Sequence, residues 1–454
     1  MAQPPASRPV SSVTPRDQPT PLMLGATVAA ALAFGAVAVP IAAREPLLLW
    51  LLAAFSAAAV LLVRWPQWIV PGYLGLVWTL VPASTLGGLS PIELGGVAML
   101  GLALWRAPKR LDLAGVTALV LLFAAIPLLT GWAFAQLDAG LPEAQLRDLA
   151  FLAIAAFGLA SVGDVDRAVR AIAVVGLALG IGALYSVYVA PTELFPVEID
   201  PFGVEAPRAA GPFGESNFFA LSLAAAVPMQ YFVAVRGGAW RYVGIAGLIA
   251  TLGGIVAAGS RGGMIAALAG LGLCIVFSGS LGASGRRVRI VGVAAIVGVA
   301  LLLPTLSAQI ESSTTRTVSG RATENRIALA MFADRPLVGV GPNVYPLLYR
   351  DYARDIGNDP RAQREPHNLY LQILAEQGIA GAVGWLGAAL VVGRAIIRRR
   401  IWEEPTGQAV LFSLGAYAVG SVFLHGANLR LLFILVGMAL ALAFAPAPSR
   451  KPSS

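Results

Sequence analysis

The sequence predicts an all-α polytopic integral membrane protein, with about 12–14 transmembrane helices and one long, partly helical outer loop. Three observations predict it. Hydrophobic residues make up 57% of the 454 and charged residues only 12%, about half the charge of a typical soluble domain. The mean hydropathy is +0.76. Apolar runs close to membrane-crossing length follow one another with short polar breaks. So few charged groups do not cover a soluble core of this size, which excludes a secreted module, a disordered regulator and an ordinary cytosolic enzyme.

In chain order, residues 1–21 are rich in Pro, Ser and Thr and read as a disordered cytoplasmic tail. Pro4, Pro5 and Pro9 precede a span-length apolar run, unlike a cleaved signal peptide. A crossing helix needs about 17–25 residues. The expected spans are 22–43, 46–63, 67–83, 91–105, 113–133, 149–163, 168–190, 216–235, 242–259, 262–278 and 288–304, then 368–393, 407–424 and 430–446. The domains are therefore the tail 1–21, N-terminal spans within 22–304, a large loop 305–367, C-terminal spans within 368–446 and a polar tail 447–454.

Charge sets the orientation. Of the 32 basic residues only Lys109 and Lys451 are Lys. With the N-terminus inside, 19 basic residues fall on inner segments and five in short outer connections (Arg44, Arg147, Arg208, Arg261 and Arg430). Cytoplasmic loops collect Lys and Arg, so both termini are expected inside. The other eight arginines lie in loop 305–367, beside seven acids. Within that loop Ile327, Ala330 and Met331 repeat at helical spacing behind candidate caps Ser319 and Thr323, which predicts an amphipathic helix.

The chemistry-bearing residues are few. Cys274 is the lone cysteine and sits in an apolar run; histidine occurs only as His367 and His425. Three clusters fall on the outer side. Arg208 precedes Gly211-Pro212-Phe213-Gly214-Glu215-Ser216-Asn217; Ser260-Arg261-Gly262-Gly263 joins two spans; Pro366-His367-Asn368 is followed by Glu376, Gly378 and Gly381. Ionisable groups at such depths are costly and point to function. Guanidinium forks match phosphate oxygens bidentately, and helix N-termini add backbone donors. An imidazole, which titrates near neutral pH, accepts a proton there. Each piece also has a plain structural reading: an arginine in a tight turn snorkels or caps, Asn368 caps the next span, Glu376 is satisfied by a neighbouring helix, and the glycines permit close packing.

Two motifs fail. Asp164-Val165-Asp166 has the aspartate pair of metal-dependent glycosyltransferases, but it sits in a short inner turn away from the clusters. Gly339-Val340-Gly341 lacks the third glycine and the strand–helix setting of a dinucleotide site.

The order of the clusters carries a resemblance. Arg208 with Gly-Pro-Phe and Asn217, then Ser260-Arg261-Gly262, then Asn325-Arg326, Asp334-Arg335-Pro336-Leu337 and Gly339-Val340-Gly341, then Pro366-His367-Asn368 with Leu371, Glu376 and Gly378, together resemble the bacterial O-antigen ligase and O-antigen polymerase superfamily. The resemblance covers roughly residues 205–385. It implies a GT-C-like glycosyltransferase of the bacterial inner membrane, with the large loop in the periplasm. Such enzymes pass a glycan from undecaprenyl pyrophosphate to an acceptor sugar hydroxyl, without metal, cofactor or nucleic acid. The acceptor is lipid A–core in ligases of lipopolysaccharide biosynthesis and a second lipid-linked repeat unit in polymerases. Carried over residue by residue, the resemblance makes Arg208, Arg261 and His367 catalytic, with Arg326 a helper. The chemistry adds Arg335, Asn217, Asn368 and Glu376 as substrate-binding candidates. A Wzy-type polymerase, a protein O-oligosaccharyltransferase and, from another class, an organic-anion transporter stay open at this point.

Overall fold

The computed structural model describes residues 66–79, 95–101, 149–161, 164–190, 195–198, 207–277, 290, 292–294, 321–355, 366–424 and 430–444. The chain divides into two compact units, 1–66 and 67–454. The second contains the described helices α1 (Ile69–Trp78), α2 (Leu149–Ser161), α3 (Val165–Tyr188), α4 (Ser216–Val235), α5 (Trp240–Ala257) and α6 (Arg261–Phe277). After them come α7 (321–334), α8 (Tyr345–Asp355), α9 (Leu369–Arg399), α10 (Pro405–Gly420) and α11 (Arg430–Phe444). One two-residue antiparallel pair, β1 (Val197–Glu198) with β2 (Arg208–Ala209), precedes α4.

The protein is all-α and polytopic. Helices α3, α4, α5 and α9 are each long and apolar enough to cross a membrane. The spans expected at 168–190, 216–235, 242–259, 262–278, 368–393, 407–424 and 430–446 correspond to α3–α6 and α9–α11, and shorter helices α1 and α2 fall in 67–83 and 149–163. The expectations at 22–43, 46–63 and 113–133, and both tails, lie outside the described residues, as do most of 91–105 and 288–304. Helix α9 runs on to Arg399, because Arg398 and Arg399 favour the carbonyl end of a helix.

Helix α4 is the axis of the bundle, packed by α3, α5, α6 and α10. Its apolar window is 94% buried, against 22% for the peripheral α9. Helix α4 is hydrophobic on every face, as a helix enclosed by protein or lipid must be. A polar knot ties α3, α4 and α5: Gln230 Nε2 donates to Thr251 Oγ1 (2.7 Å) and to the Ala173 carbonyl (3.3 Å), and Thr251 Oγ1 donates to the Gly176 carbonyl (3.0 Å). Such bonds hold helices together where water does not compete.

The two ends of the bundle carry different chemistry. At one end Asp164 caps α3 by accepting from the Asp166 amide (2.8 Å). Asp166 pairs with Arg170 (2.7 Å) and with Arg236, and accepts from Thr406 Oγ1 at 3.3 Å. The aspartate pair is thus engaged in capping and ion pairs that join α3, α4 and α10. The opposite end holds the starts of α4, α6 and α9 and the ends of α5 and α10.

The described part of the loop, residues 321–355 and 366–367, folds against that second end. Helix α7 lies where amphipathic spacing predicts it, with Ile327 and Met331 fully buried. Ala328, rather than Ala330, completes the buried stripe, and Thr323 falls inside the helix instead of capping it. These residues form a small core with Val340, Val344, Tyr345, Tyr349 and Ala375 of α9.

Candidate active site

Arg208 is positioned by the β1–β2 pair, which sets it opposite Glu198. Its Nε donates to the Ala258 carbonyl (3.0 Å), one Nη donates to Asn217 Oδ1 (3.4 Å), and the other lies 3.6 Å from Glu198. The side chain lies across Gly259, whose φ of +61° excludes most residues and where a Cβ would come within 3.1 Å of Nε. The Gly-Pro-Phe turn then leads to Glu215, the N-cap of α4, which accepts from the amides of Asn217 (3.2 Å) and Phe218 (2.9 Å). Glu198 accepts from both the amide and the hydroxyl of Ser216 at 2.8 Å. The acids here spend their oxygens on the helix start, which a carboxylate suits.

Asn217 is the hub between two arginine-bearing elements. Its Oδ1 accepts from Ser260 Oγ (2.9 Å) as well as from Arg208. Ser260 Oγ in turn accepts from the Gly263 amide (3.3 Å), capping α6, whose first residue is Arg261. Gly262 and Gly263 let α6 approach closely: a Cβ on Gly262 would sit 2.8 Å from that of Phe423.

His367 meets a carboxylate. Its Nδ1 lies 2.9 Å from Glu324 Oε2, with the histidine 30% exposed and Glu324 only 1%. An ionised carboxylate only accepts, so this contact favours the tautomer with the proton on Nδ1 and the lone pair on Nε2. Tyr345 Oη donates to the Glu324 carbonyl at 2.9 Å. Burial, reinforced by the charge of Glu324, pushes the Tyr345 phenol far above its usual range and keeps it a donor. Asn368 is the N-cap of α9, accepting from the amides of Tyr370 (3.0 Å) and Leu371 (3.1 Å). Glu376 is buried but faces the Tyr345 amide and Gln372 Nε2, both at 3.3 Å.

Helix α7 links the two halves. Arg321, one turn before Glu324, is half-buried. Desolvation, then the charge of Arg261, pulls its guanidinium below the ordinary range, with Glu324 and Glu215 opposing and Arg208 adding to the effect. Arg208, Arg261, Arg321, Glu324 and His367 therefore converge at one end of the bundle. Arg326 and Arg335 are exposed on α7 and just past its end. Sequence reasoning missed Glu324 and Arg321 as site residues. The signal was their spacing: Arg321, Glu324, Ile327 and Met331 fall on one helical stripe.

The site coincides with a recognisable domain. No curated protein matches the chain. Residues 246–386 match the Wzy_C family, described as O-antigen ligase, a stretch about a third of the chain long that runs from within α5 to within α9. It holds Arg261, Arg321, Glu324, His367 and Glu376; Arg208 and Asn217 precede it. Through this segment the chain is similar to O-antigen ligases and Wzy-like polymerases, a likeness that supports a membrane glycosyltransferase of that kind.

Proposed function

We propose that the chain transfers a glycan from undecaprenyl pyrophosphate to an acceptor sugar hydroxyl at the periplasmic face of the bacterial inner membrane. Its place is that of an O-antigen ligase acting on lipid A–core. The observation that carries this reading is the His367–Glu324 pair beside the arginine cluster, at a bundle end that the charge count orients outward. In the reaction, His367 Nε2 takes the acceptor hydroxyl proton as that oxygen bonds to the anomeric carbon. The bond from this carbon to the pyrophosphate oxygen breaks, and its electron pair leaves with the pyrophosphate. Attack from the opposite face inverts the configuration. Arg208 and Arg261 stabilise the charge that builds on the leaving group, and a water-poor setting strengthens their effect. Asn217 holds Arg208 and, through Ser260, the turn that carries Arg261. Arg326 and Arg335, on the exposed side, are assigned to the glycan rather than to the pyrophosphate, and Asn368 and Glu376 support the site by fixing the start of α9 and Tyr345.

The test is transfer by purified protein from a lipid-pyrophosphate glycan to lipid A–core. Arg208→Ala, Arg261→Ala and His367→Ala are each expected to fall by about 100-fold or more while still inserting. Undiminished transfer by His367→Ala would remove its role, and no transfer to any hydroxyl acceptor would remove the reading. Deleting the gene and running the lipopolysaccharide on a gel separates family members. Loss of all banded chains with lipid-linked polymer accumulating means ligase. Core bearing a single repeat means polymerase, and unchanged lipopolysaccharide points to another polysaccharide.

A further inference from the structure

We propose that the turn after α7, residues 336–338, is inserted in the outer leaflet of the bilayer, so that lipid as well as the helix bundle anchors the long loop. The character of the chain changes abruptly where α7 ends. Asp334 and Arg335 are charged and exposed, and Pro336-Leu337-Val338-Gly339-Val340-Gly341-Pro342 then carries no charged or hydroxyl side chain. Leu337 is 69% exposed. Its carbonyl accepts from the Ala380 amide (3.0 Å), which sets it beside Ile379 at the outer end of the exposed row Ile379, Val383, Leu386 and Leu390 on α9. That row keeps helical phase on a span-length apolar helix whose window is only 22% buried, as a lipid-facing surface does. Leu337 continues the same apolar surface onto the loop.

The arginines of α9 give the depth. Arg394, Arg398 and Arg399 lie at its far end, and the first of them marks the edge of the hydrocarbon there. From Arg394 back to Ile379 the helix rises about 22 Å, and the hydrocarbon is about 30 Å thick. Ile379 and Leu337 therefore sit about 5–10 Å inside the outer boundary. The backbone suits that place. Irregular chain is tolerated at such depth only where protein partners satisfy its N–H and C=O groups. Gly378 interrupts α9 at this level, and the freed amides of Ile379 and Ala380 donate to the Pro336 (2.8 Å) and Leu337 carbonyls. In return the amides of Val340 and Gly341 donate to the Ala375 and Glu376 carbonyls, both at 2.9 Å, and the Gly339 amide closes on the Arg335 carbonyl at 2.9 Å. Pro336 has no N–H to satisfy. Gly339, Val340 and Gly341 are buried, so side chains such as Leu337, rather than peptide groups, meet the lipid. Because α7 runs directly into this turn, the bilayer fixes the height of that helix and of Glu324 on it.

The experiment places a nitroxide on single cysteines of the full chain in lipid nanodiscs; Cys274 is buried and does not compete. Collisions with oxygen, which concentrates in lipid, and with a nickel chelate, which stays in water, report depth. The label in Leu337→Cys is expected about 5–10 Å below the outer hydrocarbon boundary, and that in Val383→Cys about 6 Å deeper. The label in Arg354→Cys, on the exposed side of α8, is expected in water. Ile379→Cys leaves the loop sequence intact and is expected at the depth of Leu337→Cys. A Leu337 label that meets the nickel chelate as readily as the Arg354 label overturns the proposal. So does one shielded from both reagents, since protein then covers the turn. An Ile379 label in water overturns it independently of any disturbance to the loop. None of these outcomes depends on glycan transfer.

Discussion

Replacing Glu324 with glutamine is expected to lower the turnover number for glycan transfer by about two to four orders of magnitude, with KM for the donor nearly unchanged. The range is that of a positioned general base. Glu324 touches no substrate in this scheme and acts through His367. At 2.9 Å from Nδ1, and almost wholly buried, it fixes the tautomer that leaves the lone pair on Nε2 and stabilises the imidazolium formed in the reaction. A glutamine in that place is neutral. It can also present its amide N–H to the ring, which turns the proton onto Nε2, where it blocks base catalysis. A tautomer error of this kind in a hydrolase triad costs about 10⁴. Glutamine keeps the shape of Glu324 and can still hydrogen-bond the ring, so insertion and folding are checked alongside the kinetics. The bond from Tyr345 Oη goes to the Glu324 backbone and survives. Steady-state kinetics of Glu324→Gln and Glu324→Asp check this. Partial recovery by aspartate with KM held constant is the expected pattern, and a wild-type turnover number in Glu324→Gln would show that His367 works without the carboxylate.

How much of the fold and the site was legible in the sequence depends on the range of each interaction. A span such as 216–235 is a local property, an apolar run between polar breaks, and α4 occupies those residues. That α4 is buried on all sides while α9 is peripheral was not legible, since lipid and protein select the same side chains. Asn368 could be read both as ligand and as cap, and its bonds to Tyr370 and Leu371 give the cap. The pairing of Glu324 with His367 spans 43 residues and no local pattern encodes it. Arg321 differs from these. The stripe through Ile327 and Met331 already implied that Glu324 and Arg321 face inward, whereas Arg326, two positions past Glu324, points elsewhere. Arg326 was implied by the resemblance, which carries no helical phase. The β1–β2 pair that holds Arg208 was invisible, because two-residue strands leave no periodicity.

Substituting Gly378 with alanine is expected to abolish transfer while leaving the protein inserted in the membrane. Gly378 interrupts α9 with φ 62° and ψ −158°, a region open essentially to glycine alone, and forcing another residue there costs about 1–3 kcal/mol. Space is lacking as well: an added Cβ would sit 2.6 Å from the Leu337 carbonyl carbon and the Val338 nitrogen. The interruption serves to hold the loop. The amides of Ile379 and Ala380 donate to the carbonyls of Pro336 (2.8 Å) and Leu337 (3.0 Å), and the amides of Val340 and Gly341 donate to those of Ala375 and Glu376, both at 2.9 Å. Four backbone bonds thus clamp residues 336–341 onto α9 around Gly378, and the clamp closes the chain behind α7. An alanine at 378 either regularises α9 or pushes the loop away; each breaks the clamp, and α7 then carries Glu324 and Arg321 out of register with His367. Gly339→Ala attacks the same contact from the other side, since its φ is +68° and a Cβ there would overlap the Glu376 backbone. Hydrogen exchange reads the event directly. Amide exchange at Val340, Gly341, Ile379 and Ala380 is expected to quicken by about 10- to 100-fold, as local opening becomes easier by that factor, while the amides of α4 stay protected. Unchanged exchange together with full transfer in Gly378→Ala would mean that the clamp does not hold the site.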